Sequence, residues 1–398
     1  MRVVMTSPYS LSRPGGVQGQ VLGLARELRK LGVDVRVVGP CDGPPPEPGV
    51  VSVGPRVEWN SNGSVAPISP GRATARRTAE VMRSIEPDLV HLHEPAVPGP
   101  CLSALIGFSG PMVGTFHASG ELLHMWTRPA LRSQMARLNV RVVVSESALE
   151  TARANWYDAD YVVLWNGIEV DRYASARPTP SERPAALFVG RHEPRKGLAV
   201  LLDAWRLLDR DAMLWVGGTG LETDALRATT GSNVEWLGAI TDAERNSRLR
   251  GATVFCAPSL HGESFGVVLL EGMAAGTPVV ASAIEGYQNV AHADRDALLV
   301  PPGDVPALRD ALRRVFDDGA LRDRLVTAGR LRAEEFSMAR LAERYLELYE
   351  QALVPLAETA PGVYVGHATA QPGQWDFQIE AEQGGARVFK SENRIALQ

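Results

Sequence analysis

Lysine is almost missing from this chain. Of the 41 lysines and arginines in its 398 residues, only Lys30, Lys196 and Lys390 are lysine. Cysteine is nearly as scarce. Cys41, Cys101 and Cys256 lie far apart and follow no metal spacing, which excludes a disulfide framework and reads as reduced, buried thiols of a cytosolic protein. Excess positive charge is absent too: the net charge is -5 and the pI about 6.0, which excludes a general nucleic-acid binder. No apolar run is long enough to span a bilayer, and the apolar part of M-R-V-V-M-T-S is too short for a signal peptide, so any membrane contact is expected to be peripheral. No repeat of fixed period occurs. What remains is globular in composition, 45% hydrophobic and 22% charged, and long enough for two domains of ordinary size.

The pattern is short β-branched runs alternating with helical stretches. In the first half the expected strands are Arg2–Met5, Asp34–Val38, Leu89–Leu92, Met112–Thr115, Val140–Val144 and Tyr161–Leu164. Between the first two, Val17, Val21, Leu24, Leu28 and Leu31 fall at helical spacing. The polar, proline-bearing stretch Asp171–Arg183 reads as a linker. Strands are expected again at Ala186–Val189, Ala212–Val216, Val234–Leu237, Thr253–Ala257, Thr277–Ala281 and Ala297–Val300, with helices at Leu198–Leu208, Asp242–Arg250, Gly266–Ala275 and Val305–Phe316. The fold class is therefore α/β: two doubly wound, Rossmann-like domains facing a cleft, with parallel strands and helical crossovers. The boundaries are 1–170 for the first domain, 171–184 for the linker, 185–336 for the second, 337–354 for a final helix and 355–398 for a tail with only a weak strand-like piece, Ala386–Phe389.

Five stretches carry chemistry. In V-G-R-H-E-P-R-K-G, Arg191, Arg195 and Lys196 stand between Gly190 and Gly197 at the end of an expected strand. A guanidinium fork and a compact ammonium suit a pyrophosphate held from two sides, although a solvated basic turn fits the same residues. In H-G-E-S-F-G-V-V-L-L-E, Gly266 opens a helix, so the N–H groups around Phe265, Gly266 and Val267 are available to an anion. Glu263 sits in the loop before it. Glu271 stands inside an apolar run and must be paired, with a sugar hydroxyl or with a structural arginine. In P-G-G-V, Gly15 and Gly16 precede the first helix and permit close approach of a phosphate. Gly217-Gly218-Thr219-Gly220 is a second, weaker glycine turn. The triple-glycine fingerprint of a dinucleotide dehydrogenase is absent, because eight residues (Thr6 to Arg13) separate the first strand from Pro14. His117 ends a strand in T-F-H, and His91 and His93 flank another strand end. Their spacing fits no zinc motif, and the scattered D-x-D triplets follow no strand in a metal-holding context, so no metal is expected. From Arg72 onward a helix aligns Arg72, Arg76 and Arg83 opposite Thr78, Val81, Met82 and Ile85. It reads first as a solvated face and second as a surface for anionic lipid.

R-H-E-P-R-K-G, G-E-S-F-G-V-V-L-L-E and the early P-G-G-V resemble the retaining glycosyltransferases of family 4, which have the GT-B fold, over about Met1 to Leu353. Within that family, P-Y-S-x-x-x-P-G-G-V-Q, N-G-S-V-A, H-x-H-E-P and T-F-H are similar to the actinobacterial enzymes that mannosylate phosphatidyl-myo-inositol. The resemblance implies that Arg191 and Lys196 bind the donor pyrophosphate, with Gly16 against the same phosphate from the other domain. It implies Glu263 on the transferred sugar, Glu271 on the nucleotide ribose, and Ile240, Asp242 and Arg245 near the base. His117 would assist at the reacting centre, and Tyr9, Gln18, Asn62 and Arg72 would line the acceptor pocket. The catalytic set is then His117, Arg191, Lys196 and Glu263. The implied donor is a nucleotide sugar, GDP-mannose first, used as a substrate with no cofactor and no metal. The implied acceptor is a polyol or a phospholipid, met by a cytoplasmic enzyme lying peripherally on an anionic inner membrane face. The helix after 336 would cross back to the first domain.

Departures lie on the acceptor side. Pro67 and Ser69 stand where the family has arginines, Ala118 replaces a hydroxyl residue, and Trp165 replaces a proline. A family 4 enzyme with another nucleotide sugar and a non-inositol acceptor, and a GT-B sugar-nucleotide epimerase, are the alternatives these residues leave open.

Overall fold

The computed structural model describes all residues except 14, 62–63, 119–127, 157–158, 264, 354–355, 361–362, 367–372, 384–385 and 398. The chain divides into two compact units, Met1–Arg344 and Tyr345–Gln398.

The larger unit holds two parallel sheets. The first contains β1 (Arg2–Thr6), β2 (Asp34–Gly39) and β3 (Val50–Ser52). A separate antiparallel hairpin follows, β4 (Val57–Ser61) and β5 (Ser64–Ile68), and the chain then re-enters the first sheet with β6 (Leu89–His93), β7 (Met112–Phe116), β8 (Val140–Val143) and β9 (Val162–Val163). Their order is β3-β2-β1-β6-β7-β8-β9, with every neighbouring pair parallel. The second sheet comprises β10 (Ala185–Val189), β11 (Met213–Gly217), β12 (Val234–Gly238), β13 (Val254–Ala257), β14 (Val279–Ser282) and β15 (Leu298–Val300), in the order β12-β11-β10-β13-β14-β15. Both sheets reverse direction of growth at their first strand, so the carboxyl ends of β1 and β10 open onto crevices.

Successive side chains of these strands point to opposite faces of the sheet. Leu187 and Phe188 are both buried yet join different clusters on opposite faces of the second sheet. Leu187 packs with Phe255, Leu270 and Met273, and Phe188 with Leu198, Leu202 and Leu214. The central strands are buried on both faces, as a parallel sheet covered by helices requires.

The stretch read as a linker is only partly solvated. Val170–Ala174 forms a short helix, and Tyr173 lies in the same buried cluster as Leu187. Ile168 exchanges backbone hydrogen bonds with the chain around 337: its N–H donates to Phe336 O at 2.8 Å, and Met338 N–H donates to Ile168 O at 2.8 Å. Met338 begins the helix Met338–Ala352 and lies against Gly23 of the helix Gly16–Lys30; a Cβ on Gly23 would stand 2.9 Å from Met338 Cε.

The smaller unit contains two antiparallel hairpins, Leu356–Ala360 with Val363–Gly366 and Gly373–Gln383 with Ala386–Leu397. The expected piece Ala386–Phe389 is the start of its longest strand.

Candidate active site

A cavity of about 510 Å³ opens at the carboxyl ends of the two large sheets. Gly16, Gln18 and His117 line it from the first sheet's elements. Asp242, Arg245, Val267 and Glu271 line it from the second, and Asn166, Gly167, Glu169 and Arg172 join the two walls. Seven residues expected at the site from sequence thus meet in one cleft.

Each wall has a local reason. Gly15 and Gly16 start the helix Gly16–Lys30 without a capping side chain. A Cβ on Gly16 would meet nothing within 4 Å, so the protein's own packing does not demand glycine there. Gln18 is buried, and its amide donates to Ser10 O at 3.3 Å. On the opposite wall, Glu271 is held by a residue that sequence reading missed. Tyr173 Oη donates to Glu271 Oε1 at 2.8 Å, and Arg245 Nη2 donates to Tyr173 Oη at 3.1 Å and stands 3.5 Å from the same carboxylate. Burial raises the Glu271 pKa above its ordinary value, against the pull of Arg245. Arg172 Nη2 donates to Asp242 Oδ2 at 2.7 Å. The only sequence signal for Tyr173 was the buried glutamate itself, which needed a donor from somewhere.

The basic turn lies outside this cavity's lining and forms a second cluster. Lys196 Nζ donates to Glu263 Oε1 at 2.5 Å, Arg195 Nη1 to the same oxygen at 3.3 Å, and Ser259 Oγ to it at 3.3 Å. Arg191 is 68% exposed and pairs with Glu193 at 2.7 Å. Arg195, counted among the cations of this turn but given no separate role, therefore shares the Glu263 carboxylate with Lys196. Gly197 makes the arrangement possible. It has φ 70, and a Cβ there would run into the carbonyl oxygen of Pro258, so only glycine lets the two loops touch. Ile240 packs beside Gly217 at the carboxyl ends of β11 and β12. Gly266, at φ 88, caps the helix Val267–Ala275 with no side-chain bond, which leaves its first turn without a side-chain acceptor. The Phe265 side chain is packing: it is buried and stacks on Trp165 at 5.2 Å, so only its backbone remains for an anion. That stack also accounts for tryptophan in place of proline at 165.

The histidines cluster at the ends of β6 and β7. His93 Nδ1 and His117 Nε2 are 2.9 Å apart, and His91 and His93 pack ring against ring at 4.2 Å. Burial lowers all three pKa values, His91 to about 3 and His117 to about 4, with His93 also pushed well down. Glu94 was not singled out from sequence. Its Oε1 accepts the backbone N–H of His117 at 2.5 Å and of Ala118 at 2.6 Å, and burial raises its pKa to about 7. Burial and then the Glu94 charge raise the Tyr9 hydroxyl pKa, which puts Tyr9 beside this cluster.

On the acceptor side, Asn62 lies outside the described residues. Ser69 is buried and bonded to Thr74 at 2.9 Å, and Pro67 O accepts the Ser10 N–H, so neither substitutes for a cation. Arg72 is exposed at the start of the helix Arg72–Ile85. Thr78, Val81 and Met82 are buried as expected, but Arg76 and Arg77 both pair with Glu80, at 3.1 and 3.4 Å, so the stripe carries less free charge than its arginines suggest. Among the described residues no group of three or more His, Cys, Asp or Glu could hold a metal ion, and no helix is long and apolar enough to cross a membrane.

Comparison with known proteins bears on family and fold. A family model described as Glycosyltransferase Family 4 matches residues 14–172, and one described as Glycosyl transferases group 1 matches residues 183–318. The chain is 38% identical over 365 residues to the phosphatidyl-myo-inositol mannosyltransferase of Mycobacterium leprae, covering 88% of this chain and 96% of that protein. A glycosyltransferase structure from Rickettsia africae superposes with a TM-score of 0.69 at 21% identity, covering 88% of this chain and 98% of the other. The Anabaena protein HepE in complex with UDP superposes with a TM-score of 0.64 at 18% identity, covering 88% of this chain and all (100%) of the other.

Proposed function

Given that this chain belongs to glycosyltransferase family 4 and has the GT-B fold, we propose that it transfers mannose from GDP-mannose to the inositol ring of a phosphatidylinositol acceptor, with retention at the anomeric carbon and without a metal. What supports this reading is the cleft, with Gly16, Gln18 and His117 on one wall and Asp242, Arg245 and Glu271 on the other. The mannose and the inositol lipid come from the 38% identity to mannosyltransferases of that substrate.

In this reading the ribose hydroxyls bond Glu271, and the base lies near Ile240, Asp242 and Arg245. Arg191 and Lys196 meet the diphosphate, with Arg195 beside them, and Gly16 approaches it from the other wall. Glu263 holds the mannose. The acceptor enters past Tyr9, Gln18 and Arg72, with His117 at the reacting centre. The acceptor oxygen bonds to the anomeric carbon on the face from which the diphosphate leaves. The acceptor's proton passes to the departing phosphate oxygen, so no side chain has to act as base. Preplaced cations and N–H groups stabilise the growing charge. The acceptor is a membrane lipid, so the enzyme works peripherally at an anionic cytoplasmic face, with Arg72 and Arg83 turned to solvent for that contact.

A donor panel tests this: GDP-mannose, UDP-glucose and UDP-N-acetylglucosamine, each with phosphatidylinositol vesicles, free inositol or no acceptor. Transfer from GDP-mannose to the lipid is expected. Transfer from a UDP-sugar alone overturns the mannosyl assignment, and turnover of donor to another free nucleotide sugar points to an epimerase.

A further inference from the structure

We propose that His93 and Glu94 are positioning residues that hold His117 as the neutral Nδ1–H tautomer, so that His117 offers the cleft a hydrogen-bond donor and never a base. The inference rests on the reading of the cleft as the transfer site.

The contact between His93 Nδ1 and His117 Nε2, at 2.9 Å, has room for one proton. Two assignments are open. If His117 Nε2 carried it, the proton of His93 would stand on its own Nε2. That atom is buried and has no partner among the described residues. A buried N–H left unpaired is among the rarest and most costly defects of a folded protein. If His93 Nδ1 carries the proton instead, the unmet group is only a lone pair, which is tolerated better. The second assignment therefore wins, and it leaves the proton of His117 on Nδ1. No described residue bonds that atom, and His117 lines the cleft.

Charge does not upset the assignment. A third imidazole, His91, packs 4.2 Å from His93, and burial keeps the set neutral near pH 7. Glu94 supplies the other half of the clamp. It makes no hydrogen bond to either ring. Its Oε1 collects the N–H groups of His117 and Ala118, and its own N–H donates to Thr115 O at 2.8 Å, so the end of β7 is tied to the end of β6 at three points. Glu94 adopts φ 55 to do so, a left-handed conformation that a non-glycine residue takes only where its surroundings impose it.

The consequence is chemical. An Nδ1–H can bond a substrate oxygen and strengthen as that oxygen gains charge. It cannot accept the acceptor's proton, which must leave with the phosphate oxygen while His117 keeps its own.

The test is a two-bond ¹H–¹⁵N spectrum of the full chain labelled at histidine, with the His117 signals identified by their loss in His117→Asn. The expected result at neutral pH is an unprotonated Nε2 and a protonated Nδ1. A protonated Nε2 with a bare Nδ1, or an imidazolium, overturns the proposal, and this readout needs no activity. Two variants add a kinetic arm. The amide of His93→Asn can donate from the Nδ1 position, whereas His93→Phe cannot. His93→Phe is expected to lose kcat by about 10-fold or more at unchanged KM, and His93→Asn to recover most of it. If His93→Phe keeps both kcat and the Nδ1–H pattern, His93 does not set the tautomer. Absence of transfer in the wild type, with the expected spectrum, counts against the mannosyl reading and not against the tautomer.

Discussion

Lys196 answers the question that the scarcity of lysine raises. Glu263 Oε1 is already shared by Arg195 and Ser259, both at 3.3 Å, and the position nearest it is filled by the small ammonium at 2.5 Å. A planar fork would have to displace one of the other donors. Lys196→Ala is expected to lower kcat/KM about 100-fold, the size of effect seen when one donor to a developing charge is removed. The melting temperature should move little, because Glu263 keeps two donors; steady-state kinetics beside a thermal melt checks both. Gly16 gives the complementary test. A Cβ there meets nothing in the protein, so Gly16→Ala should leave stability unchanged or raised by up to about 1 kcal/mol, as a glycine-to-alanine change in a helix can. If a phosphate lies against Gly16, the same variant raises the donor KM, and an unchanged KM removes Gly16 from the donor site.

At the scale of elements, the ends of β6 and β7 carry opposing titrations. The Glu94 pKa is raised from 4.5 to about 7, so the stability it contributes is full below about 4.5 and is lost as the pH rises through 7. The histidine pKa values are lowered from 6.5, so their contribution is present above that value and is lost as the pH falls toward about 4 for His117 and about 3 for His91. Glu94→Gln retains an oxygen for the two N–H groups and removes the first titration. Urea midpoints at about pH 5 and about pH 8 should show the variant gaining more over wild type at the higher pH. An equal gain at both would mean that Glu94 titrates normally.

The strands themselves were legible. Every strand expected from β-branched runs is present within about two residues, because central parallel strands are buried on both faces and must be apolar throughout. Val50–Ser52 is an edge strand of three residues, too short to stand out although Val50 and Val51 are β-branched, and the hairpin Val57–Ser61 with Ser64–Ile68 belongs to neither sheet and is interrupted by polar residues. Tyr173 and Glu94 were invisible for a different reason. Each acts by reaching a partner far along the chain, Glu271 in one case and the His117 N–H in the other, and no local spacing encodes that.

For the whole molecule, the two sheets supply one cleft, and the central claim is what that cleft turns over. Family and fold fix the reaction class as glycosyl transfer. The donor and acceptor follow from the proposal alone, as does independence of metal, with Arg191, Arg195 and Lys196 as the positive charge at the diphosphate. The most direct measurement is transfer of labelled mannose from GDP-mannose to phosphatidylinositol vesicles by the purified chain in EDTA. The account predicts a mannosylated inositol lipid, formed at the same rate with and without the chelator. No lipid product from GDP-mannose, with product from a UDP-sugar or only when a divalent metal is restored, would contradict it.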